Sequence, residues 1–438
     1  MQGSVHRPSA VGCRAVADVQ PLHTLRYEPS VVGSLDAVIA PPYDVIDDEL
    51  RAQLLEQSPY NVVEIDLPVD PHGSDRYAHA AATLAQWRDE GAVVQEDEPT
   101  FWVLDQDYEA PDGSQQRRRG FFARVRVEDY GAGRIRPHER THPGPKADRL
   151  ALTHATRANL SPIFSLFPDL AGAAAQALGE AADAAPYAAV TDHEGTRNTL
   201  WRVADRDQIA ALQAALADAE LLIADGHHRY ETARVYAQEV GGEGLQSYVL
   251  MFLCSLSDPG LTVFPTHRLL TGLKDDSDKQ QAIRAALTRD FEIEQVSRDR
   301  LEPGGTGDDR IQLGYMDAFH RQPYLLTLKD RAIADAALDG MPEPYRRLDT
   351  AVLEAIVLKG ALGMTEDDIS HLRGLGYSKS FDDAVDAVET GRYDAGFFMR
   401  ATPVEQVREV AEAGVSMPPK STYFYPKIPT GLIFNMLQ

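Results

Sequence analysis

Short apolar runs between turn residues characterise the first part of the chain. They predict strands at residues 37–40, 61–67, 101–104 and 120–127. Residues 77–90 instead repeat apolar side chains every third position, at Ala81, Leu84 and Trp87, which predicts a helix. The turn residues at 111–114 predict a hairpin loop between the last two strands. We therefore expect a mixed lobe of strands and helices over residues 16–128.

The middle of the chain, residues 129–275, alternates helix and strand patterns and is expected to form a second lobe. The alanine-rich stretch 171–185 predicts a helix, because alanine is the best helix former. Asp205 is expected to cap the next helix. The apolar run 249–256 predicts a strand that is covered on both faces.

The last part, residues 276–438, is expected to form a third lobe and contains clear helix signals. Ser380 with Asp383 predicts one helix start, and Thr402 as N-cap followed by Pro403 predicts another. The segment 418–427 is expected to form neither a helix nor a regular strand.

The strongest functional signal lies at residues 221–237. An apolar strand runs into Asp225-Gly226-His227-His228-Arg229, and a helical pattern follows. A helix N-terminus favours an anion, and Gly226 lets the backbone approach it closely. Arg229 is a candidate for bidentate phosphate binding and His228 for a hydrogen bond to the same group. Asp225 could cap the helix, hold a metal ion or orient a substrate hydroxyl; the simpler alternative is a plain helix cap beside two surface histidines.

Composition favours a folded protein of more than one lobe. The 438 residues are 43% hydrophobic and 25% charged. No apolar run reaches the length of about 18 residues that spans a bilayer, and the N-terminal segment lacks an apolar signal core. Cys13 and Cys254 are too few for a disulfide framework. We therefore expect a cytoplasmic protein without a membrane partner.

The formal net charge of −24 argues against a nucleic-acid partner, since such binding depends on neutralising phosphates. A basic segment at residues 134–157 stands out against this background and predicts a local site for a small anion. Lys146 and Arg149 are three positions apart in it, so one helix face can present both to phosphates. A solvated basic face is the simpler alternative.

Residues 221–233 resemble the phosphate-binding loop of the ParB/sulfiredoxin superfamily, in which basic residues and a helix follow a glycine. Sulfiredoxins have a catalytic cysteine where this chain has His227, which argues against sulfinic-acid reduction. Chromosome-segregation members carry Gly-Glu-Arg-Arg and bind CTP beside DNA, which the acidic composition disfavours. The free-serine kinases carry an Asp-Gly-His-x-Arg form that matches residues 225–229. This resemblance implies a nucleotide-dependent kinase that phosphorylates free L-serine.

The same resemblance implies a glutamate upstream of the loop as general base, and Glu139 in Pro137-His138-Glu139 is the candidate. A carboxylate accepts the proton of an attacking hydroxyl while Mg²⁺ and cationic groups hold the phosphoryl group. The separation of Glu139 from Asp225 exceeds that in the small kinases and requires an insertion, expected at residues 166–205. The alternative for Glu139 is an exposed partner of Arg136 or Arg140.

Across nearly its whole length the sequence resembles an uncharacterised bacterial and archaeal family, domain of unknown function 1015, which implies no settled activity. The matching pieces are residues 40–46, 138–150, 159–164, 224–233, 265–268 and 419–424. Within these pieces, Lys420 is a candidate to reach a phosphate from an irregular loop. Two further pairs are candidates for substrate binding, Tyr43 with Asp44 and His267 with Arg268.

The sequence therefore predicts an α+β protein with a ParB/sulfiredoxin-like nucleotide-binding core and additional N- and C-terminal α/β lobes. The predicted activity is a kinase that uses ATP or ADP with Mg²⁺ to phosphorylate a small metabolite, with free L-serine first. The expected catalytic residues are Glu139, Asp225 and His227, and Asp225 is also the expected metal ligand. Phosphate contacts are expected from Gly226, His228, Arg229, Lys146, Arg149 and Lys420. Two alternatives stay open, a non-catalytic protein that binds a nucleotide or phosphometabolite and a small-molecule phosphatase, and no oligomeric state is predicted.

Overall fold

The computed structural model describes residues 17–69, 73, 75–110, 113–130, 134–139, 143–304 and 310–438. Within them the chain is a mixed α/β protein with several sheets. The strands are, in chain order, β1 (Val19–Gln20), β2 (Leu25–Tyr27), β3 (Val93–Gln95), β4 (Phe101–Glu109), β5 (Gln115–Arg126), β6 (Ile135–Arg136), β7 (Ala158–Asn159), β8 (Ile163–Phe167), β9 (Ala188–Thr191), β10 (Arg197–Val203), β11 (Leu221–Asp225), β12 (Tyr248–Ser255), β13 (Thr262–Phe264), β14 (His267–Leu270), β15 (Phe291–Gln295), β16 (Gln312–Asp317), β17 (Tyr324–Leu328), β18 (Leu375–Ser378), β19 (Ala395–Phe398), β20 (Tyr423–Tyr425) and β21 (Asn435–Met436).

The helices connect and cover these strands. In chain order they are α1 (Pro29–Val32), α2 (Asp48–Gln57), α3 (Val63–Asp66), α4 (Arg76–Asp89), α5 (Pro143–Thr156), α6 (Ala173–Ala182), α7 (Arg206–Ala215), α8 (His227–Val240), α9 (Ser277–Asp290), α10 (Arg331–Ala337), α11 (Glu343–Arg346), α12 (Asp349–Leu353), α13 (Glu366–Ser370), α14 (Phe381–Glu389) and α15 (Val404–Glu412). The 3-10 turns are Leu35–Ala37, Tyr43–Val45, Leu245–Ser247 and Arg298–Arg300, and a π-helical segment covers Glu354–Ala361.

The largest sheet has nine strands within the described ranges, in the order β6-β11-β8-β12-β5-β4-β10-β9 with β1 beside β5. Alternate residues of β4 enter two different cores, because side chains alternate between the faces of a strand. Phe101 and Val103 pack in the core that α6, α7 and α8 cover. Trp102 and Leu104 pack in a core to which the C-terminal tail contributes Phe424. The sheet is therefore buried on both faces, and the C-terminal tail forms part of its cover.

A second sheet has six strands in the part of the chain that the structure describes, in the order β15-β17-β16-β19-β14-β18. Its core includes apolar residues of α9 and of the π-helical segment, such as Ile283 and Ile356. The short antiparallel pair of β13 and β20 is separate from both large sheets and fixes the C-terminal tail near the nine-stranded sheet. This pairing positions the tail residues that follow Tyr423.

Most of the predicted elements are confirmed. The helix at 77–90 is α4, the alanine-rich helix is α6, and the apolar run at 249–256 is β12. Asp205 accepts hydrogen bonds from the backbone N–H groups of Asp207 and Gln208 and so caps α7. Ser380 likewise caps α14. The strands β4 and β5 pair antiparallel as the predicted hairpin, although residues 111 and 112 of its loop lie outside the described residues, as does Cys13.

Two predicted strands are wrong. Residues 37–40 form the end of a 3-10 turn and a single bridge from Ala40 to Thr430. Residues 61–67 contain helix α3 instead of a strand. The Asn61 side chain explains this, since its amide donates to the carbonyls of Ala37 and Ile39 while its oxygen accepts from the Val63 N–H. These contacts replace the strand pairing that the apolar pattern predicts.

Two predictions in the C-terminal part are also wrong. Pro403, not Thr402, occupies the N-cap of α15. The Thr402 hydroxyl instead donates to the Ser421 carbonyl at 2.9 Å. The tail was expected to lack a regular strand, but Tyr423–Tyr425 form β20. Its partner β13 is distant in sequence, so no local pattern indicates the pairing.

The predicted lobe boundaries stay predictions, although each large sheet combines strands from both sides of a boundary. The nine-stranded sheet takes β4 and β5 from before residue 128 and β11 and β12 from after it. The six-stranded sheet includes β14, which precedes residue 275. The expected insertion at 166–205 contains α6, the edge strand β9 and its neighbour β10. None of the helices within the described ranges is both long and apolar enough to cross a membrane.

Candidate functional site

The predicted strand, turn and helix at residues 221–237 are present as β11, Gly226 and α8. Gly226 has φ +93°, in the left-handed region that favours glycine. A Cβ atom at this position would lie 2.9 Å from Arg229 Nε, so a side chain here would collide with the guanidinium. Helix α8 receives no side-chain cap from its N-cap residue, Gly226. The first N–H groups of α8 therefore give this helix end a partial positive charge, which favours an anion.

A cavity of about 250 Å³ opens at this helix end. It brings together many of the residues that the sequence singles out. These are Tyr43, Asp44, Glu139, Asp225, Gly226, His227, His228, Arg229 and Lys420. It also contains residues that were not predicted to belong to the site, which include Thr266, Tyr377, Lys379, Thr422, Tyr423 and Lys427.

Asp225 lies between two cations. Its Oδ1 accepts from Lys427 Nζ at 2.9 Å and its Oδ2 from an Arg229 guanidinium nitrogen at 2.7 Å. Burial alone would raise the pKa of Asp225, but Lys427 and Arg229 outweigh it and hold the pKa well below its ordinary value. Asp225 is therefore ionised and positions both cations at the start of α8.

Lys427 also contacts an aromatic ring. Its Nζ lies 4.2 Å from the centre of the Tyr423 ring, which a second lysine, Lys379, approaches to 4.8 Å. Burial would lower the pKa of Lys427, yet Asp225 raises it and the net direction is upward. Lys427 is thus a charged, largely buried ammonium that lines the cavity.

Glu139 faces the same cavity from the segment before α5. Its Oε1 accepts weakly from the Lys420 N–H at 3.5 Å. The His227 Nε2 accepts from the His138 N–H at 3.2 Å, so the proton of the neutral His227 ring is on Nδ1. That Nδ1 lies 4.0 Å from Glu139 Oε2. Burial, and then His138, lower the pKa of His227 well below its ordinary value, so the ring is neutral and presents an N–H to the carboxylate.

His138 links three segments of the site. Its Nδ1 donates to the Ile223 carbonyl at 2.7 Å, and its Nε2 accepts from the Thr422 hydroxyl at 2.9 Å. Burial lowers the pKa of His138, which keeps the ring neutral in this arrangement. His138 therefore joins β11, the Glu139 segment and the C-terminal tail.

Arg268 stabilises the loop that carries Lys420 through hydrogen bonds to its backbone. Lys420 has φ +56°, a conformation that is uncommon outside glycine. The buried Arg268 guanidinium donates to the carbonyls of Pro419 at 3.3 Å and Lys420 at 3.1 Å. Arg268 thus lies behind the cavity wall, where it fixes the turn that carries Lys420.

Several other predicted residues lie away from the cavity. Arg149 forms ion pairs with Asp66 and Asp148, and its guanidinium carbon lies 4.3 Å from the centre of the Tyr43 ring. It therefore reaches the site through Tyr43 and does not line the cavity. Lys146 lies on α5 outside the lining residues, and His267 lines a neighbouring cavity.

Several cations of the basic segment pair with residues outside the cavity. Arg136 pairs with Glu220 at 3.0 Å, and His154 lies 2.6 Å from Glu239. Arg140 lies outside the described residues. This segment contributes Glu139 to the cavity, whereas Arg136 and His154 are paired elsewhere.

The described protein side chains do not by themselves form a complete metal site, so a metal ion here would also need ligands from a bound substrate. In the described ranges, no group of three or more His, Cys, Asp or Glu side chains could hold a metal ion. Mg²⁺ commonly uses one or two carboxylates together with substrate phosphates. Both Asp225 oxygens already accept from cations, whereas Asp44 lines the cavity without an ion pair to a described residue. The expected role of Asp225 as metal ligand stays a prediction.

Comparison with known proteins identifies a family. The family model described as "Protein of unknown function (DUF1015)" matches residues 19–351. No curated protein matches the chain.

Three solved structures show a distant likeness. A conserved hypothetical protein from Pyrococcus furiosus is 15% identical with a TM-score of 0.34, over 68% of this chain and 92% of that chain. A free serine kinase in complex with AMP is 14% identical with a TM-score of 0.34, over 68% of this chain and 89% of that one. SbnI with a C-terminal truncation, from Staphylococcus aureus, is 10% identical with a TM-score of 0.35. The match covers 70% of this chain and 85% of that chain. We infer neither a fold nor a function from likenesses of this size.

Proposed function

This chain belongs to the family described as "Protein of unknown function (DUF1015)", a description that assigns no activity, and we propose that it is a nucleotide-dependent kinase for the hydroxyl group of a small metabolite. The observation that carries the proposal is the cavity at the start of α8, where a glycine turn, several cations and the carboxylate of Glu139 meet. The ParB/sulfiredoxin-like character of the core is part of this proposal, and its support is the Asp225-Gly226-His227-x-Arg229 pattern.

The phosphates of a nucleotide would bind at the helix end. The N–H groups at His227 and His228 and the positive end of the α8 dipole favour an anion there. Lys427 and Lys420 line the same cavity and can add charged contacts. ATP or ADP supplies both the phosphates for this site and the group to be transferred.

Glu139 is the proposed general base. It lies at the cavity wall with its side chain about one third exposed (32%), so an acceptor hydroxyl can reach it. In the transfer step, the hydroxyl oxygen attacks the terminal phosphorus and its proton passes to Glu139. The bond from that phosphorus to the bridging oxygen breaks, and the shortened nucleotide leaves. His227 is a positioning residue in this scheme, because its Nδ1–H faces the Glu139 carboxylate.

Mg²⁺ would lie on the nucleotide phosphates and take a carboxylate of the cavity as a further ligand. Asp44 suits this role, because its exposed carboxylate lines the cavity and forms no ion pair with a described residue. Free L-serine is the proposed acceptor, because the loop pattern resembles that of the free-serine kinases. A cytoplasmic location stays a prediction from composition.

The test is an assay for transfer to the acceptor. The full chain is incubated with ATP or ADP, Mg²⁺ and L-serine, and phosphorus NMR follows the nucleotide and any phosphoserine. We expect phosphoserine to form with the parent and with Glu56→Gln, a control at an exposed carboxylate of α2. Glu139→Gln should remove it.

Two results would contradict the kinase proposal. A nucleotide that raises the melting temperature without phosphorylating any acceptor in an amino-acid and polyol pool would indicate a binding protein. Release of phosphate from phosphoserine in the absence of nucleotide would indicate a phosphatase.

A further inference from the structure

A second cavity, of about 590 Å³, lies beside the site cavity and shares Lys379 with it. Glu109, at the end of β4, lines it from the nine-stranded sheet. His267, at the start of β14, lines it from the six-stranded sheet. The second cavity therefore lies between the two sheets, and its volume is within the range of about 300–1,000 Å³ that is usual for small-molecule sites.

The second cavity has the opposite charge balance to the first. Three carboxylates line it, from Glu109, Glu194 and Glu302, together with the ammonium of Lys379. The Lys379 ammonium is already engaged, since its Nζ lies 3.0 Å from Glu194 and 3.1 Å from the Tyr423 hydroxyl. The second cavity thus retains an excess of negative charge.

Of the three carboxylates, Glu302 is the one without a polar or charged partner among the described residues. It has no ion pair or hydrogen bond to any residue that the structure describes. Burial raises its pKa, with no neighbouring cation to oppose this effect. A part-buried carboxylate without a counter-ion is unfavourable, and a bound cation would relieve that cost.

His267 adds an unused donor to the same wall. Its ring is buried, and its Nδ1 accepts from the Met399 N–H at 3.1 Å. Because burial lowers the pKa of His267 to about 4, the ring is neutral near pH 7 and its proton is on Nε2. That Nε2 has no hydrogen-bond partner within the described ranges. A ligand with an oxygen near its cationic group would supply the missing acceptor.

Aromatic rings favour an organic cation over a metal ion. Phe264 and Tyr425 stack with their ring centres 4.5 Å apart, and both line the second cavity with Phe381. Ammonium groups are attracted to such rings as well as to carboxylates. A bare metal ion would instead need converging ligands, which the described residues do not offer.

We propose that the second cavity binds the protonated amine of a small organic ligand, beside an oxygen of that ligand that accepts from His267. We further propose, on the basis of the kinase function, that this ligand is the phosphoryl acceptor and therefore an amino alcohol or hydroxy amino acid. Lys379 lies between the two cavities and would contact both the phosphates and the acceptor.

The experiment compares two small probes of similar size on the full chain by isothermal titration calorimetry without nucleotide. Ethanolamine carries an ammonium and a hydroxyl group, whereas ethylene glycol carries two hydroxyl groups. We expect ethanolamine to bind about tenfold or more tightly than ethylene glycol. Glu302→Gln should weaken ethanolamine binding about fivefold or more and leave ADP binding unchanged. Glu292→Gln, at an exposed glutamate of β15 away from the second cavity, should change neither.

Equal binding of the two probes, or an unchanged affinity in Glu302→Gln, would overturn the amine site. Phosphoryl transfer to an acceptor that lacks an amine, at a rate equal to that of its amine analogue, would overturn the acceptor assignment while the kinase function stands. Ethanolamine binding that depends on Glu302, in a protein that transfers no phosphate, would support the amine site and contradict the kinase function.

Discussion

Replacing Asp225 with asparagine should have opposite effects on stability and on phosphate binding. In the folded protein the Asp225 carboxylate lies between Lys427 and Arg229, and all three side chains are at least four-fifths buried. Asp225→Asn keeps the shape of the side chain but removes the charge. The two cations then remain near each other without a counter-ion.

The magnitude follows from this geometry. Removing one partner of a buried ion pair usually lowers the free energy of unfolding by about 3–5 kcal/mol. Because these groups keep some exposure to solvent, we expect a loss near the lower end, about 3 kcal/mol. A phosphate on Lys427 would lie about 5.5 Å from the carboxylate, a repulsion of roughly 3 kcal/mol at an effective dielectric constant of about 20. Solvent and salt reduce that repulsion, so we expect the affinity for inorganic phosphate to rise about tenfold.

The assay has two readouts on the same samples. Denaturant unfolding gives the free energy of unfolding, and calorimetric titration with inorganic phosphate in the absence of Mg²⁺ gives the dissociation constant. Asp44→Asn is the matched control, since Asp44 is an exposed carboxylate of the same cavity without an ion pair to a described residue. It should change the free energy of unfolding by less than about 0.5 kcal/mol. An Asp225→Asn protein as stable as the parent, or one that binds phosphate more weakly, would refute this account of Asp225.

Further predictions test the other parts of the site. Glu139→Gln should lower the turnover rate about 10²–10⁴-fold and leave the nucleotide dissociation constant within about twofold, as rate and titration measurements can show. Lys427→Met should weaken ADP binding about tenfold in calorimetry, because a buried ammonium is lost from the phosphate site. Gly226→Ala should destabilise the protein by about 1–2 kcal/mol more than Gly172→Ala in chemical unfolding, because both glycines have a left-handed backbone at a helix start but only Gly226 also meets Arg229. Asp225 has a folded-state pKa below the unfolded value of about 3.9, so its stabilising contribution is present above that pH and is lost as the pH falls. The stability difference between the parent and Asp225→Asn should therefore shrink below about pH 4 in unfolding measurements.

The strand, turn and helix around Gly226 could be predicted because their signals are local. An apolar run, a glycine and a helical pattern are contiguous in sequence, and each constrains the backbone where it occurs. Glu139 and Lys420 were indicated by resemblance to known families, and the structure places both at the same cavity as the loop. Their convergence depends on His138, which joins the three segments through long-range hydrogen bonds that no local pattern reveals.

Lys427 and Lys379 could not be predicted from the sequence. Lys427 reaches Asp225 because β20 pairs with β13, and Lys379 reaches the cavity because β18 pairs with β14. Both pairings join residues more than a hundred positions apart, and a lone lysine after a proline or a serine carries no functional pattern. Helix α3 was missed for a related reason, since the Asn61 contacts that favour it come from a different segment. Where tertiary contacts decide, a short apolar run does not distinguish a strand from a single helical turn.

The measurement that tests the central claim most directly is a crystal structure of the full chain with ADP. The account predicts the terminal phosphate at the N-terminus of α8, within hydrogen-bond distance of the backbone N–H groups near His227 and of Lys427 Nζ, with Glu139 open to the acceptor side. An ADP molecule whose phosphates lie elsewhere, with Asp225 still paired to Lys427 and Arg229 and the helix end unoccupied, would contradict it.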